Sequence, residues 1–260
     1  MADVELPIVE VRGLTAGYGD RTILEGVDVD VRRGEVFAIL GGSGSGKSTL
    51  LKNMLGVHDP LAGTVRIDGE DFTAANFSTR RRILRKVGVT YQEGALFGSM
   101  TLSGNCQVPL EEHTALPAEA RRVIARTKLE LVGLGGFEDF LPSETSGGMR
   151  KRAAIARAMV LDPELLCLDE PSAGLDPVTS AGLDKLIARL NEVLAITFII
   201  VTHELPSILS IVDRCVLLDG AKHGIVAEGD PRELARSSTH PLVRRFFDRH
   251  AEDDLTVPTS

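Results

Sequence analysis

The sequence predicts an α/β fold, in which the strands of a parallel sheet alternate with helices that cover both of its faces. Residues 36–40 and 196–201 are continuous apolar runs, which are typical of strands buried on both faces of such a sheet. Residues 165–168 form a third run of this kind. Between the runs at 165–168 and 196–201, Asp176 is a favourable N-cap for a helix from Pro177 to about Leu194. This order of strand, helix and strand predicts the core of the fold.

Two further regions flank or interrupt this core. Residues 94–160 predict a helical lobe inserted into the α/β domain, with helices over about 117–132 and 148–160. The first third of the chain instead carries alternating or buried strand patterns, at residues 9–12, 27–31, 63–69 and 87–91.

A glycine-rich segment, Gly-Gly-Ser-Gly-Ser-Gly-Lys-Ser at residues 41–48, joins the strand at 36–40 to a helix-compatible stretch at 49–55. Glycines let the backbone approach a phosphate group closely, and a helix N-terminus favours an anion. We therefore expect Lys47 to reach the β- and γ-phosphates of a nucleoside triphosphate and Ser48 to ligate Mg²⁺. A flexible serine–glycine linker is the alternative, but a linker would not lie between a buried strand and a helix. The residues expected to bind the nucleotide here are Gly41, Gly42, Ser43, Gly44, Ser45, Gly46, Lys47, Ser48 and Thr49.

Two acidic residues, Asp169 and Glu170, directly follow the strand at 165–168. In this position Asp169 would hold Mg²⁺ through water, and Glu170 would polarise the water that attacks the γ-phosphate. A solvated acidic turn is the alternative. Two acids directly after an apolar strand, in a chain that also has a phosphate-binding loop, favour the catalytic interpretation.

A second anion site is predicted where Ser146, Gly147, Gly148 and Met149 begin a helix. Backbone N–H groups and the positive end of the helix dipole point outward at such a terminus. An ordinary serine cap is the alternative. The position of the segment, about 20 residues before the acidic strand, favours the functional interpretation.

The composition limits the class of partner and the compartment. The net charge is −8, from 29 basic and 37 acidic residues, which argues against nucleic acid as a partner. Three widely separated cysteines indicate a reducing compartment. No stretch reaches the roughly 18 apolar residues that span a bilayer, and the acidic N-terminus lacks a signal-peptide pattern. We therefore expect a cytoplasmic protein that serves a membrane only through a partner.

Taken together, the phosphate-binding loop, the Ser146–Gly147–Gly148 segment and the acidic pair resemble the ATP-binding-cassette (ABC) ATPases over about residues 8–235. The resemblance implies a P-loop NTPase fold with a RecA-like parallel-sheet core, an N-terminal antiparallel β-subdomain and an inserted α-helical subdomain. It places the ATPase domain at residues 1–239, with the helical subdomain at about 94–160, and leaves residues 240–260 as a C-terminal tail.

The resemblance also implies roles for residues that are weak signals singly. Tyr18 would stack on the adenine ring, Gln92 would contact Mg²⁺ and sense the transport partner, and His203 would be the switch histidine at the γ-phosphate. Thr145 and Met149 depart from the family pattern, which usually has Leu and Gln there, but the intact Ser146–Gly147–Gly148 core still implies ATPase activity. The Mg²⁺ ligands would be Ser48, Gln92 and Asp169. The loop at the dimer interface would be Ser172, Ala173, Gly174, Leu175 and Asp176.

In this family two copies sandwich two ATP molecules. The resemblance therefore implies a homodimer in which each ATP, with its Mg²⁺, lies between the phosphate-binding loop of one chain and the Ser146–Gly147–Gly148 segment of the other. Closing on ATP and reopening after hydrolysis would drive a partner.

Several segments resemble the ATPases of maintenance-of-lipid-asymmetry transporters, notably residues 91–97, 108–114 and 204–208. That resemblance implies an integral-membrane permease docked at about residues 92–116, a mammalian-cell-entry-type lipid-binding protein, and phospholipid transport from the cytoplasmic face of the inner membrane. Two alternative functions remain. One is an importer of a polar solute, which shares every catalytic residue, and the other is a non-transport member of the family. No residue of an ATPase subunit touches the cargo, so the lipid assignment rests on resemblance alone.

The tail begins with a predicted amphipathic helix at residues 240–249. Leu242, Val243, Phe246 and Phe247 recur on one apolar stripe. The stripe would pack either on its own domain or on the second subunit or a small regulatory protein.

Overall fold

The structure is a computed structural model that describes residues 6–19, 21–91 and 95–248. Ten strands form two sheets in this part of the chain. They are β1 (Val9–Tyr18), β2 (Arg21–Val31), β3 (Val36–Gly41), β4 (Ala62–Ile67), β5 (Glu70–Asp71), β6 (Val87–Thr90), β7 (Leu165–Asp169), β8 (Thr197–Val201), β9 (Arg214–Asp219) and β10 (Gly224–Gly229).

Helices connect and cover these strands. They are α1 (Lys47–Met54), α2 (Phe77–Leu84), α3 (Leu102–His113), α4 (Ala118–Leu131), α5 (Gly147–Ala158), α6 (Pro177–Leu194), α7 (Leu205–Ile211), α8 (Pro231–Ser237) and α9 (Pro241–Asp248), with a 3₁₀ turn at Pro142–Glu144. None of the described helices is long and apolar enough to cross a membrane.

The larger sheet has the order β10-β9-β3-β8-β7-β6, and its five strands from β9 to β6 are parallel. Side chains of β7 alternate between two apolar clusters: Leu166 and Leu168 face one, and Leu165 and Cys167 face the other. Burial on both faces explains why the sequence shows a continuous apolar run here rather than alternation. Because these five strands are parallel, their carboxyl ends lie along the same edge of the sheet, which is where ligands bind in open α/β sheets.

The smaller sheet, in the order β2-β1-β4-β5, is antiparallel. Helix α1 lies between the two sheets, and its Leu50 and Met54 belong to the same apolar cluster as Leu14 of β1, Leu24 of β2 and Ile39 of β3. This packing fixes the helix N-terminus, and with it the phosphate-binding loop, relative to the larger sheet.

The helical lobe consists of α3, α4 and α5 packed on one another. Helices α4 and α5 match the two helices predicted from the sequence within two residues at each end. Helix α3 was not predicted, because Pro109 lies inside it and its apolar residues do not form one clear stripe. Thr101 caps it by accepting a hydrogen bond from the Gly104 N–H at 3.0 Å, and Cys106 and Leu110 are buried against the core.

The C-terminal helix α9 packs on its own domain, which is the first of the two alternatives that the sequence left open. Val243 is fully buried, and Phe246 and Phe247 pack against the same cluster as Leu234 of α8. All three cysteines are buried and unpaired, as expected from the sequence. Burial raises the pKa of their thiols, so they act as small apolar side chains.

We expect Gly88→Ala to lower the free energy of unfolding by about 1–3 kcal/mol, as for overpacked cores generally. A Cβ at Gly88 in β6 would lie 2.3 Å from the Ala158 carbonyl oxygen, so α5 would have to move away from the sheet. Urea denaturation measures the change. Gly98→Ala is the matched control, since a Cβ there meets nothing within 4 Å. Equal stability of the two variants would contradict the expectation.

Candidate nucleotide-binding site

The phosphate-binding loop connects β3 to α1. Gly46 is the N-cap of α1 with φ of 100°, a conformation that L side chains rarely adopt, and a Cβ there would lie 2.8 Å from Leu24 Cδ2. A Cβ at Gly41 would lie 2.6 Å from the Leu218 carbonyl oxygen. At Gly42, by contrast, a Cβ would meet nothing within 4 Å. The loop is therefore packed tightly against the core at Gly41 and Gly46 and is open at Gly42.

The polar groups of the loop suit an anion. The Lys47 Nζ donates hydrogen bonds to the carbonyl oxygens of Gly41 and Gly42, both at 2.9 Å. Burial lowers the pKa of Lys47, while the carboxylates of Glu170 and Asp169 raise it and partly offset the burial. The buried Ser45 hydroxyl has no hydrogen-bond partner among the described residues. An open glycine cradle, a lysine amine held at its rim and a spare hydroxyl fit a triphosphate chain.

Tyr18 lies at the end of β1 beside a cleft of about 380 Å³ that the second half of the loop also lines. Tyr18 is 46% exposed, and its ring stands edge-on to that of His58, with ring centroids 5.2 Å apart. An exposed aromatic face next to the phosphate site is the geometry that base stacking requires. The other lining residues of the cleft are Arg21, Ile23, Gly44, Ser45, Gly46, Lys47, Ser48 and Thr49.

Glu170 and His203 come together because they follow neighbouring parallel strands. Asp169 of β7 pairs with Val201 of β8, and the Glu170 N–H donates to the Val201 carbonyl oxygen at 2.8 Å. Glu170 Oε1 then lies 2.9 Å from His203 Nδ1. Glu170 Oε2 is buried and has no hydrogen-bond partner among the residues that the structure describes, so it can accept a hydrogen bond from a ligand or a water.

Asp169 and Glu170 form an acidic corner at the end of β7. Its backbone conformation and the closeness of its two carboxylates are both unusual. Glu170 has φ of 48°, a left-handed conformation that costs about 1–3 kcal/mol in a non-glycine residue and clusters at active sites. Burial raises the pKa of Asp169, and the adjacent Glu170 raises it further. Two crowded carboxylates at the edge of a sheet suit a bound cation.

The Ser146–Gly147–Gly148 segment begins α5, as expected, with the Ser146 hydroxyl accepting from the Met149 N–H at 3.2 Å. A Cβ at Gly148 would lie 2.5 Å from Thr179 Cγ2 near the start of α6. A Cβ at Gly147 would lie 3.4 Å from Leu175 Cδ2, so the segment also lies beside the loop at residues 172–176. None of the residues that line the nucleotide cleft in the described structure belongs to this segment.

The two positions that depart from the usual family pattern serve packing. Thr145 is buried, and its hydroxyl donates to the Pro142 carbonyl oxygen at 2.9 Å. The Met149 side chain packs against the apolar core. Gln92 lies outside the residues that the structure describes.

The model of the ABC transporter family matches residues 24–173. The chain belongs to the ABC transporter family. The combination of this family with a phosphate-binding loop makes it an ATPase that binds ATP.

Individual relatives extend over almost the whole chain. It is 45% identical over 239 residues to the probable ribonucleotide transport ATP-binding protein mkl of Mycobacterium leprae, covering 92% of this chain and 68% of that protein. It is 40% identical over 245 residues to the intermembrane phospholipid transport system ATP-binding protein MlaF of Escherichia coli K12, covering 94% of this chain and 90% of that protein.

Solved ABC structures share the fold. The ATP-binding cassette MJ0796, solved as a dimer in a post-hydrolysis state bound to ADP and phosphate, superposes with a TM-score of 0.76 at 29% identity, over 85% of this chain and 98% of that one. The cbiO1 protein of Clostridium perfringens, part of the ABC transporter complex cbiONQ, gives 0.81 at 30% identity, over 88% and 91%. The fold class expected from the sequence is confirmed.

Sequence reasoning missed one contact within this ABC site. Lys151 lies on α5, one turn after the Ser146–Gly147–Gly148 segment, and its Nζ donates to the Glu170 carbonyl oxygen at 3.2 Å. The bond ties the helix that begins with that segment to the backbone of the acidic corner. Only its spacing from the segment, on the same helix, could have indicated Lys151.

The cap of α6 gives a pH-dependent prediction. Asp176 accepts hydrogen bonds from the N–H groups of Val178 and Thr179, both at 3.1 Å, and a hydrogen bond from the Thr179 hydroxyl holds the pKa of the carboxyl below its usual value. Such a group stabilises the fold above its unfolded-state pKa, and that contribution is lost as the pH falls through the lower folded-state pKa. Asp176→Ala should therefore lower the melting temperature at pH 7 and differ progressively less from the wild type in acid.

Thermal melts between pH 7 and pH 2 measure this difference. Asp176→Asn is the control, because its amide oxygen still caps the helix but does not titrate. A gap between wild type and Asp176→Ala that stays constant with pH would contradict the assignment.

Proposed function

We propose that this chain is the ATP-hydrolysing subunit of an ABC transporter that moves phospholipids across the cell envelope through a separate permease. The observation that carries the catalytic part is the Glu170–His203 contact at the edge of the sheet that also bears the phosphate-binding loop. The second carboxylate oxygen of Glu170 is buried and has no partner within the described part of the chain. The named function of the E. coli relative MlaF carries the lipid part.

In the proposed reaction Glu170 Oε2 accepts a hydrogen bond from a water, whose oxygen attacks the γ-phosphorus of ATP. The bond to the β-phosphate oxygen breaks, ADP leaves with the bonding electrons, and the proton of the water passes to Glu170. His203 fixes the Glu170 carboxylate through Nδ1 and acts as the switch at the γ-phosphate. Lys47 provides positive charge beside the phosphates.

Mg²⁺ fits the same corner. Ser48 is exposed in the first turn of α1, and Asp169 is crowded by Glu170, so a divalent cation would relieve the repulsion between the two carboxylates. We assign Ser48 and Asp169 as its holders, Asp169 through water, with Gln92 as the third ligand. When bound, the cation neutralises part of the phosphate charge.

We propose that the working unit is a homodimer. The phosphate-binding loop is open at Gly42, and the Ser146–Gly147–Gly148–Met149 segment adjoins the loop at residues 172–176 rather than the nucleotide cleft of its own chain. A second copy would bring its own segment over the first copy's phosphates, so that ATP closes the pair and hydrolysis reopens it. The ABC cassette MJ0796 has been solved as a dimer.

A patch of exposed apolar side chains on the helical lobe is the proposed permease dock. Phe97, Met100, Phe137 and Phe140 form this apolar patch, in which three of the four side chains are aromatic, and each is 37–49% exposed. The two segments that carry it are joined by the Leu102 N–H, which donates to the Phe140 carbonyl oxygen at 2.8 Å. Grouped exposed aromatic side chains mark an interaction surface rather than ordinary solvent exposure.

The permease places the chain at the cytoplasmic face of the inner membrane as a peripheral subunit, together with a mammalian-cell-entry-type lipid-binding protein and a small regulatory subunit. A transporter for a polar solute is the second candidate function, because the relative from M. leprae is named a probable ribonucleotide transport protein.

We expect Glu170→Gln to bind ATP but to hydrolyse it about 10²–10⁴ times more slowly, as for loss of a general base. The variant should therefore accumulate as an ATP-bound dimer. Phosphate release measures the hydrolysis rate, and light scattering after size exclusion measures the dimer. Lys47→Ala, by contrast, should lose nucleotide binding itself, measured by calorimetry. Hydrolysis at the wild-type rate by Glu170→Gln would refute the role of Glu170.

Affinity purification of the chain from its native membrane, followed by mass spectrometry of proteins and lipids, tests the transport assignment. A permease, a mammalian-cell-entry protein and bound phospholipid are expected together. Phe137→Asp should lose the permease, whereas replacement of Leu61, an exposed apolar residue directly before β4, by Asp should retain it. Recovery of a polar-solute permease would overturn the cargo and leave the ATPase assignment standing.

A further inference from the structure

A buried polar contact lies behind the Glu170–His203 pair. The Ser207 hydroxyl on α7 donates to Asp184 Oδ2 on α6 at 2.8 Å. The two residues are only 7% and 8% exposed, respectively. This bond joins two helices that otherwise pack through apolar side chains such as Ile187 and Ile208, both fully buried.

Each of these two helices is attached to a loop of the proposed catalytic machinery. Helix α6 begins at Pro177, directly after the loop at residues 172–176. Helix α7 begins at Leu205, two residues after His203, and the Thr202 hydroxyl fixes the turn between them by accepting from the Glu204 N–H at 3.1 Å. A shift of either loop therefore moves the helix attached to it. Among the described residues, the Ser207–Asp184 contact is the one side-chain hydrogen bond between α6 and α7.

The start of the loop at 172–176 reaches the same place. A small cavity of about 10 Å³ is bounded by Ser172, Asp184, Thr202 and Ser207 together with apolar side chains. Ser172 is 4% exposed, and no residue in the described part of the chain forms a hydrogen bond with its buried hydroxyl. The wall of this cavity therefore contains Ser172, two residues after Glu170, and Thr202, directly before His203, together with the buried carboxyl group of Asp184.

A carboxyl group in this position is costly to the fold. Burial raises the pKa of Asp184, and the charge of Glu204 raises it further, while the hydrogen bond from Ser207 opposes the rise. An apolar residue of similar size would pack between the helices without that penalty. A buried polar pair that is not needed for packing serves to fix one arrangement of the elements it joins.

We propose that Asp184 and Ser207 are positioning residues, which couple the loop at residues 172–176 to His203 and so set the Glu170–His203 contact when a second copy of this chain binds that loop. The proposal rests on the proposed function, since it assigns Glu170 and His203 to hydrolysis. It adds a route by which the state of one nucleotide site reaches the other.

The test compares Ser207→Ala with Ser210→Ala in the full chain. Ser207→Ala removes the donor to Asp184 and should lower kcat about threefold to tenfold, the range expected for one buried hydrogen bond, with KM for ATP unchanged. The Hill coefficient for ATP should fall toward one, because the two sites become less coupled. Ser210 is exposed on the same helix and donates only within α7, to the Ser207 carbonyl oxygen, so its replacement should change neither quantity.

Asp184 variants separate positioning from folding. Asp184→Asn keeps an oxygen that accepts from Ser207 and should retain most of kcat, whereas Asp184→Leu should reproduce the Ser207→Ala phenotype while melting no lower than the wild type. The side-chain NMR signals of His203 should move in Ser207→Ala and Asp184→Leu but not in Asp184→Asn.

Two results have different meanings. If Glu170→Gln stops hydrolysis but Ser207→Ala keeps the wild-type kcat, Hill coefficient and His203 signals, the coupling is wrong and the proposed function stands. If Glu170→Gln hydrolyses ATP like the wild type, the catalytic part of the proposed function fails and the coupling fails with it.

Discussion

The pairing of β7 with β8 is the interaction on which the site depends. The Glu170 N–H continues the ladder by bonding to the Val201 carbonyl oxygen, so the two chain segments leave the sheet side by side. That bond brings Glu170 Oε1 to 2.9 Å from His203 Nδ1, although the two residues are 33 positions apart in the sequence. A change of register by one residue would turn each side chain to the opposite face of the sheet and dismantle the pair.

The register is protected by burial on both faces of the sheet. In β8, Phe198 and Ile200 belong to the cluster shared with the helical lobe, while Ile199 and Val201 belong to the cluster shared with α1 and the antiparallel sheet. Because neither face of the strand tolerates a slip, the loops beyond the strand ends can carry strained or unsatisfied groups without loss of the fold. The left-handed backbone of Glu170 is such a strain.

Most buried polar groups in proteins have hydrogen-bond partners, so the exceptions indicate where a ligand or a second state is expected. Three of the unpartnered buried groups in the described structure are the hydroxyl of Ser45, the Oε2 atom of Glu170 and the hydroxyl of Ser172. They lie in the phosphate-binding loop, at the acidic corner and at the start of the loop assigned to the dimer interface. We expect a ligand, a water or a second copy of the chain to complete these contacts.

The sequence by itself determined the fold class, the phosphate-binding loop, the acidic pair and the order of the motifs, because these depend on local patterns: continuous apolar strands, glycines at a helix N-terminus and charged residues at strand ends. It did not reveal helix α3, whose Pro109 and weak periodicity conceal it, or on which surface α9 would pack. Only the tertiary structure decided that Lys151 reaches the Glu170 carbonyl oxygen and that Ser207 meets Asp184. Such contacts depend on how distant helices pack against one sheet, which no local pattern of residues encodes.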